Sequence, residues 1–421
     1  MAEATPAGTA AAPDPHASRP RRSAPAQGSD CNRLPAAPVL QAIQRRARLR
    51  HQSLRQLLGP DLFSAYGNAQ AAVPLAPSHS TGSYYLGLHI LSCSTTLPSC
   101  LTAASLFLRS VHRRCRMEGF QRTRLWSSAL ADTDGDAHAD PRRRLEAALL
   151  AFRGRAAVLA AMIPEDLRDF TTHDITHSDG LWEMADVIAG SEVDLTPTEA
   201  FVLGGAFLVH DLGLALASYP SGFESLRKED RWLDTVTALL NDYGAGTPTR
   251  EEISSPPEEI RLLAKEAVLR ELHAERAKHL VDTSWRDQER DETYHLLEDA
   301  DLRRDYGPLI GELAASHGWP VSKLPTSFPT QYGAPVWCPP EWTIQPIKLA
   351  ALLRVADAAH VTAARAPGFA RALRKPSDPS RQHWVFQEHL HRPIADGDRL
   401  KYTSTRAFPL SEAASWWLSP R

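Results

Sequence analysis

The chain has 421 residues, a formal net charge of -3 and 23% charged residues, which is ordinary for a globular protein with room for two or three domains. This charge balance gives no general reason to expect binding to nucleic acid or to an anionic membrane. The five cysteines form no C-x-x-C pair. They indicate reduced thiols in a cytoplasmic protein rather than disulfides or a zinc site.

The N-terminal part of the chain differs in composition from the rest. Residues 1–38 are rich in Ala, Pro, Ser and Arg and lack a compact apolar stretch, so we expect a disordered tail rather than a signal peptide. For residues 39–140 we expect a weakly structured or helical extension. Its most apolar portion, Tyr84–Leu108, is interrupted by polar residues, so we expect no membrane span. The packed core should begin near Pro141.

The stretch Thr198–Ala217, TEAFVLGGAFLVHDLGLALA, is apolar except for its first residues and the pair His210 and Asp211. Since it has no polar stripe, it predicts a helix buried on all sides, with Thr196 or Thr198 as the N-cap residue. An ionised Asp beside a His in such a helix is costly unless its charge is compensated. A metal ion would compensate it directly, and a hydrogen-bonded His–Asp pair is the alternative.

Further His and Asp residues interrupt the apolar faces of other predicted helices. His173 and His177 are four residues apart at the start of an amphipathic helix. A lone core histidine is usually a satisfied structural group, but several helices with inward His or Asp side chains favour a shared ion. The later candidates are His273 in the predicted helix Pro257–Trp285, His317 in Tyr306–His317 and Asp357 in Ile347–Val361. Nearby residues expected at the surface or behind the ligands are His279, Asp282, His295 and His360.

The order His177, His210-Asp211, Asp357 resembles the H…HD…D signature of HD-superfamily metal-dependent phosphohydrolases, and Leu212-Gly213 extends the resemblance. It implies an all-α fold, an HD-type helical bundle, that binds one or two divalent ions (Mn, Fe, Mg, Zn or Ni). By the same resemblance, the core metal ligands are His177, His210, Asp211 and Asp357, and the additional ligands of binuclear members are His273 and His317.

Within the superfamily, the chain is similar to a bacterial branch associated with conflict systems. The segments HDITHSDGLWEMADVIAG, LTPTEAFVLGGAFLVHDLG and VADAAH carry this similarity. In that branch the HD region is often followed by an ATP-binding module of the heat-shock-chaperone (GHKL) type, which implies such an ATPase as a partner or a further domain. No Gly-rich ATP-lid motif follows Asp357 in this sequence.

The implied chemistry is phosphate-ester hydrolysis on a nucleotide or nucleotide-derived signal, in bacterial defence, because a divalent ion activates water and binds a phosphoryl oxygen. Asp211 is the expected catalytic residue, since it could both ligate metal and orient water. The expected contacts to a small phosphorylated substrate are Arg276, Lys348, Arg354 and His173. One alternative is a catalytically silent sensor or docking module for an ATPase partner. Another is a single-strand nuclease, although no basic stripe with interleaved aromatics accompanies the site.

We therefore expect an HD-type metal-binding domain at residues 141–375 and a β-hairpin tail at 376–421. In the tail, the β-prone runs HWVFQEHLHRP and RLKYTST flank a turn signal at Ala395–Asp398. A two-stranded hairpin is marginal alone, so it should pack on the helical domain or begin a further module.

Overall fold

Helices dominate the computed structural model, which describes residues 118–409 except residues 134, 244–246 and 379. Two short antiparallel hairpins complete the secondary structure of these residues, so the prediction of an all-α fold with a small C-terminal hairpin is confirmed. The predicted tail at 1–38, most of the extension at 39–140 and the last residues from 410 lie outside the described part of the chain.

The secondary-structure elements are labelled in chain order. The α-helices are α1 Arg124–Ala129, α2 Ala139–Ala160, α3 Ile163–Asp166, α4 Ile175–Ala189, α5 Pro197–Val209, α6 Phe223–Leu226, α7 Asp230–Tyr243, α8 Arg250–Ser254, α9 Glu258–Ala277, α10 Ala300–Ser316, α11 Leu324–Ser327, α12 Pro346–Ala359, α13 Gly368–Arg374 and α14 Ser380–Glu388. The strands are β1 Ser284–Asp287, β2 Glu292–His295, β3 Ile394–Asp396 and β4 Arg399–Lys401. Short 3-10 turns lie at Gly119–Arg122, Leu212–Leu214, Leu216–Ser218, Val321–Lys323 and Ala363–Arg365.

Helix α5 is packed on several sides, as its uniformly apolar sequence predicts. Every residue from Pro197 to Val209 is buried, and the helix packs against α2, α4, α10 and α12. Thr196 is its N-cap. The Thr196 hydroxyl accepts a hydrogen bond from the amide of Glu199, and the Glu199 carboxylate accepts one from the amide of Thr196. This capping box satisfies backbone donors at a helix start that lies within the core.

The packed domain begins earlier than the predicted Pro141. Phe120 and Leu125 are buried in the same core as α5. The carboxylate of Asp186 in α4 accepts hydrogen bonds from the amides of Arg124 and Leu125, each at 3.0 Å. These contacts join α1 to α4, and they depend on residues too distant in sequence for local composition to indicate.

The segment after α9 also differs from the prediction. Helix α9 ends at Ala277 instead of continuing to Trp285, and β1 pairs with β2 in an antiparallel hairpin. The indole N–H of Trp285 donates to the carbonyl oxygen of Ala217 at 3.0 Å and ties this hairpin to the chain beyond α5. The strands are charged and show no alternating pattern, which is why the sequence indicates no hairpin here.

The C-terminal segment agrees with the prediction in part. The hairpin β3–β4 forms around the predicted turn, with Gly397 at a positive φ of 61°. The prediction of a β-prone run at HWVFQEHLHRP is wrong, because most of it belongs to helix α14. Trp384 in this helix is fully buried and donates its indole N–H to the carbonyl oxygen of Asp169 at 2.9 Å. Trp384 is thus packed in the core from a helix, where the local sequence indicates a strand.

A smaller apolar cluster lies beside the main core. Trp232 and Val236 of α7 and Val268 of α9 are among its fully or almost fully buried members. Because α9 continues from this cluster to His273, the packing fixes the helix that carries one of the predicted metal ligands.

One stretch of the described residues, Ala139–Asp166, is long and apolar enough to cross a membrane by length and composition. Within it, Leu145, Leu149 and Phe152 of α2 are buried in the main core. This is the packing of a core helix in a globular domain.

Candidate metal centre

Six of the side chains predicted as ligands come together between the helices. In each of two groups, one donor atom per residue lies within 4.8 Å of the others. The first cluster is His177, His210 and Asp357, and the second cluster is Asp211, His273 and His317.

The donor atoms of the first cluster are spaced as the ligands of one ion would be. Nε2 of His177 lies 3.2 Å from Nε2 of His210 and 3.4 Å from Oδ1 of Asp357. Nε2 of His210 lies 3.8 Å from the same Asp357 oxygen. Donors bound about 2.0–2.2 Å from an ion lie about 3.0–3.5 Å apart, so these atoms fit a divalent ion between them.

Asp211, a member of the second cluster, also faces the first cluster, because its two oxygens point to different groups. Oδ2 lies 3.1 Å from Nε2 of His210 and 3.4 Å from Nε2 of His177. Oδ1 lies 3.8 Å from Nε2 of His273, which is 3.0 Å from Nε2 of His317. A carboxylate in this position can ligate two neighbouring ions, one through each oxygen.

The ends of four helices deliver ligands to the centre. His210 and His317 are the C-cap residues of α5 and α10, and His273 and Asp357 lie near the C-terminal ends of α9 and α12. The C-terminal end of a helix carries partial negative charge and favours a cation. The predicted helix Thr198–Ala217 thus ends at Val209. The His210-Asp211 pair follows directly, at the helix end where the partial negative charge is largest.

Three of the imidazoles are held in the tautomer that leaves Nε2 free for a metal. Nδ1 of His210 is 3.0 Å from the carbonyl oxygen of Phe207, and Nδ1 of His273 is 2.7 Å from that of Arg270. Nδ1 of His317 is 2.6 Å from the carbonyl oxygen three residues earlier. Because a carbonyl only accepts, each Nδ1 carries a proton, and Nε2 is the nitrogen that can bind a metal.

The protonation equilibria of the two clusters differ. Burial opposes a charge on His210, but the Asp211 and Asp357 carboxylates outweigh it and raise the pKa of this imidazole to about 9. Burial also opposes ionisation of Asp211, yet His210 and the hydrogen bond from His177 hold its pKa well below the usual range. In the second cluster, burial and then the neighbouring His210 and His273 lower the pKa of His317 to about 4. The first cluster thus holds a proton that a metal ion would replace.

Gly213 explains why the His-Asp pair is followed by Leu-Gly. A Cβ on Gly213 would lie 2.3 Å from the carbonyl oxygen and 2.7 Å from Cα of His273. The absence of a side chain lets the backbone of α9 touch the turn Leu212–Leu214, and this approach brings His273 to Asp211.

Two further residues lie beside the centre: His360, which the sequence analysis expected at the surface or behind the ligands, and Arg365, which it did not name. Nδ1 of His360, the C-cap of α12, lies 2.9 Å from Nδ1 of His177, and the planes of the two rings are 6° from parallel. Arg365, in the turn Ala363–Arg365, is 7% exposed and places Nη1 2.9 Å from Nε2 of His177. His360 follows Asp357 by three residues, a spacing that would have placed it on the same helix face. Nothing in the local sequence of Arg365 indicates its position.

The predicted phosphate contacts lie in different places. Nζ of Lys348 pairs with the Glu199 carboxylate at 2.6 Å. Glu199 lies near the start of α5, about 16 Å from His210 along the helix axis. The guanidinium of Arg276 donates to the carbonyl oxygen of Ser218 at 2.8 Å, and that of Arg354 donates to the carbonyl oxygen of His317 at 3.0 Å. These three cations hold the scaffold in the structure.

His173 is the predicted phosphate contact that lies nearest the first cluster. Its ring centroid is 5.8 Å from that of His177, and Nε2 is 2.7 Å from Nη2 of Arg365. His173 therefore contacts Arg365, a cation that the sequence analysis does not name.

Helices that bring H, HD and D side chains to one point define an HD-type domain with a possible divalent-metal centre. The chain matches the family model described as HD-CE over residues 167–420, and it therefore belongs to the HD-CE family. No curated protein and no solved structure matches the chain.

Proposed function

We propose that this protein is a divalent-metal-dependent phosphohydrolase that acts on a nucleotide or a nucleotide-derived signal. The observation that carries the proposal is the position of Asp211, whose two oxygens face different His-containing clusters. Paired divalent ions that share ligands are a recurrent arrangement for phosphate-ester hydrolysis, which is why this geometry supports the proposal.

The donor atoms narrow the choice of metal. The centre offers four imidazole nitrogens from His177, His210, His273 and His317, and carboxylate oxygens from Asp211 and Asp357. Imidazole suits Zn²⁺, Fe²⁺ or Ni²⁺, and carboxylate also suits Mn²⁺, whereas Mg²⁺ favours oxygen ligands. We therefore propose one or two transition-metal ions per chain.

A divalent ion bound here would polarise a phosphoryl oxygen and lower the pKa of water.

The side chains of His177 and His210 are 1% and 0% exposed and form the floor of the centre. The side chains of Asp357 and His273 are 31% and 23% exposed, so the substrate approaches from their side. Asp211 stays ionised because its pKa is held low, mainly by His210 against the effect of burial. It can therefore accept a hydrogen bond from the attacking water and orient it.

The biological setting is also part of the proposal. A role in bacterial defence, a cytoplasmic location and a GHKL-type ATPase partner rest on the resemblance of the sequence to the conflict-system branch and on its reduced cysteines.

The test is a substrate screen of the full chain reconstituted with manganese, iron or zinc. Nucleotides, cyclic dinucleotides and single-stranded nucleic acids are incubated with wild type and with Asp357→Asn, each with and without chelator. We expect release of phosphate or nucleoside monophosphate from a nucleotide, with a loss of roughly 100-fold or more in the variant. The control is Asp140→Asn, which makes the same chemical change at a side chain that is 95% exposed. It should retain wild-type turnover.

The screen also tests the two alternatives. Cleavage restricted to single strands would favour a nuclease. Metal binding without turnover of any compound, together with binding of an ATPase partner, would favour the catalytically silent sensor and overturn the proposed activity.

A further inference from the structure

Arg365 is a buried cation beside the first cluster. Only 7% of the residue is exposed. Its backbone is fixed on both sides, because its amide donates to the carbonyl oxygen of Thr362 at 3.0 Å and its carbonyl oxygen accepts from the amide of Thr172 at 2.8 Å. Nη1 contacts both ring nitrogens of His177 and is 2.9 Å from Nε2, the atom that faces Asp211 and Asp357. The guanidinium is therefore directed into the candidate metal centre.

No anion within the described residues neutralises this guanidinium. Its hydrogen-bond partners are the imidazoles of His177 and His173, no carboxylate of the described residues lies within ion-pairing distance, and Nε is buried without a partner. A buried guanidinium that lacks a paired anion is costly, so a ligand anion would stabilise it.

His173 fixes the direction of the guanidinium. Nδ1 of His173 is 2.6 Å from the carbonyl oxygen of Thr171, so this nitrogen carries the proton and donates. Nε2 then accepts from Nη2 of Arg365 at 2.7 Å. A ring that donates through Nδ1 and accepts through Nε2 is the neutral imidazole. A neutral acceptor positions the guanidinium without neutralising it.

We propose that Arg365, positioned by His173, binds a non-bridging oxygen of the substrate's phosphoryl group and makes the site selective for phosphate esters. The inference rests on the proposed function, because it assigns a substrate contact to the same centre. The guanidinium presents several N–H donors in a fixed plane, which matches the oxygens of a phosphoryl group. It supplies the positive contact that Arg276, Lys348 and Arg354 were expected to make.

The experiment measures binding of inorganic phosphate to the manganese-loaded full chain by calorimetry. We compare wild type with Arg365→Gln and Arg365→Lys, and we measure the manganese content of each. We expect phosphate to bind at least about 10-fold more weakly to Arg365→Gln, because a charge-assisted hydrogen bond is lost. Arg365→Lys should lose less, because it keeps the charge and loses only the planar donor set. Manganese content should be unchanged in both variants.

The control is Arg304→Gln, which removes one positive charge from the start of α10, about 20 Å from His317 by helix rise. Arg304 is 68% exposed in its side chain, and its variant should bind phosphate as wild type does. If Arg365→Gln does not fold, Arg365→Lys and His173→Ala provide the test, since both retain the positive charge in the core. Each should weaken phosphate binding, and His173→Gln, which retains an acceptor, should partly restore it.

Equal phosphate affinity in wild type and in folded, manganese-loaded Arg365 variants overturns the inference, as does equal binding in wild type and His173→Ala. The outcome for the proposed function is separate. Phosphate binding that depends on Arg365 in a protein that hydrolyses nothing would retain the inference and remove the hydrolase activity. Hydrolysis that is unaffected by Arg365→Gln would retain the proposed hydrolase activity and overturn the inference about Arg365.

Discussion

Nδ1 of His177 lies 2.9 Å from Nδ1 of His360, and the planes of the two rings are almost parallel. If Nε2 of His177 ligates a metal, Nδ1 carries the proton and His360 accepts it in a hydrogen bond. The chain makes room for this contact at Gly180, where an added Cβ would lie 2.3 Å from Cε1 of His360. With a metal bound to His177, His360 would position this ligand through Nδ1.

We expect His360→Ala to weaken metal binding at the first cluster by about 10- to 100-fold, as is typical when the hydrogen-bond partner of a ligating histidine is lost. His360→Asn retains an acceptor and should recover part of the affinity. Calorimetric titration with zinc measures both variants. Equal losses in His360→Ala and His360→Asn would indicate that the residue only fills space.

Asp211→Asn tests the catalytic role of this carboxylate. The change keeps the shape of the side chain but removes the charge that faces both clusters, so turnover should fall by roughly 100-fold or more. Thermal unfolding in excess chelator should show a loss of stability at neutral pH, because in the metal-free wild type this carboxylate pairs with protonated His210, whose pKa it raises. A variant with wild-type turnover would exclude Asp211 from the chemistry, and Asp140→Asn again serves as the surface control.

The number of bound ions follows from the second cluster. We expect up to two ions per wild-type chain and one in His317→Ala, because Nε2 of His317 lies 3.0 Å from Nε2 of His273 and both belong to the second cluster. Elemental analysis of dialysed protein measures the ratio. An unchanged ratio in His317→Ala would mean that this histidine is structural.

His210 predicts a pH dependence of the metal-free protein. The folded pKa of about 9 is above the ordinary value of 6.5 for an imidazole. A raised pKa stabilises the folded state fully below pH 6.5, and this contribution is lost as the pH rises through about 9. Over this window the free energy of unfolding should fall by up to about 1.4 kcal/mol per pH unit. Urea unfolding in excess chelator measures the slope, which should be absent in His210→Gln.

Gly213→Ala tests the close approach of α9. The added Cβ would overlap the backbone of His273, so α9 must shift, at a cost of about 1–3 kcal/mol in stability. The shift should also weaken the second metal site. Gly154→Ala in α2 is the matched control, because nothing lies within 4 Å of its added Cβ. It should stabilise the protein by about 0.5–1 kcal/mol. Similar destabilisation by both changes would argue against a specific contact at Gly213.

The sequence predicts the parts of the fold and site that depend on local pattern. Helix α5 is identified by its unbroken apolar run, and Asp357 by a carboxylate in an otherwise apolar helix. The structure brings His210, at the end of this helix, together with Asp357 and His177. The position of His177, 33 residues before His210 in the sequence, suggests this grouping but does not establish it.

What the sequence does not predict depends on contacts between distant residues. Arg365 lies in a short turn, and only the approach of His177, 188 residues earlier, gives it a place in the site. Lys348 carries the same charge near Asp357, yet it pairs with Glu199 because the helix turns it the other way. Charge and proximity in sequence thus do not indicate which cation faces the candidate metal centre, since side-chain direction follows from tertiary packing.

The sharing of Asp211 has a consequence for how the protein would respond to its surroundings. Two ions that use one carboxylate are not independent: each reduces the charge available to the other, and they repel one another. The second ion should therefore bind at a higher free-metal concentration than the first. Between these two concentrations the chain would be folded and singly loaded, and hydrolysis that needs both ions would be off. Metal supply in the cell would then set the activity, with no change in the amount of protein.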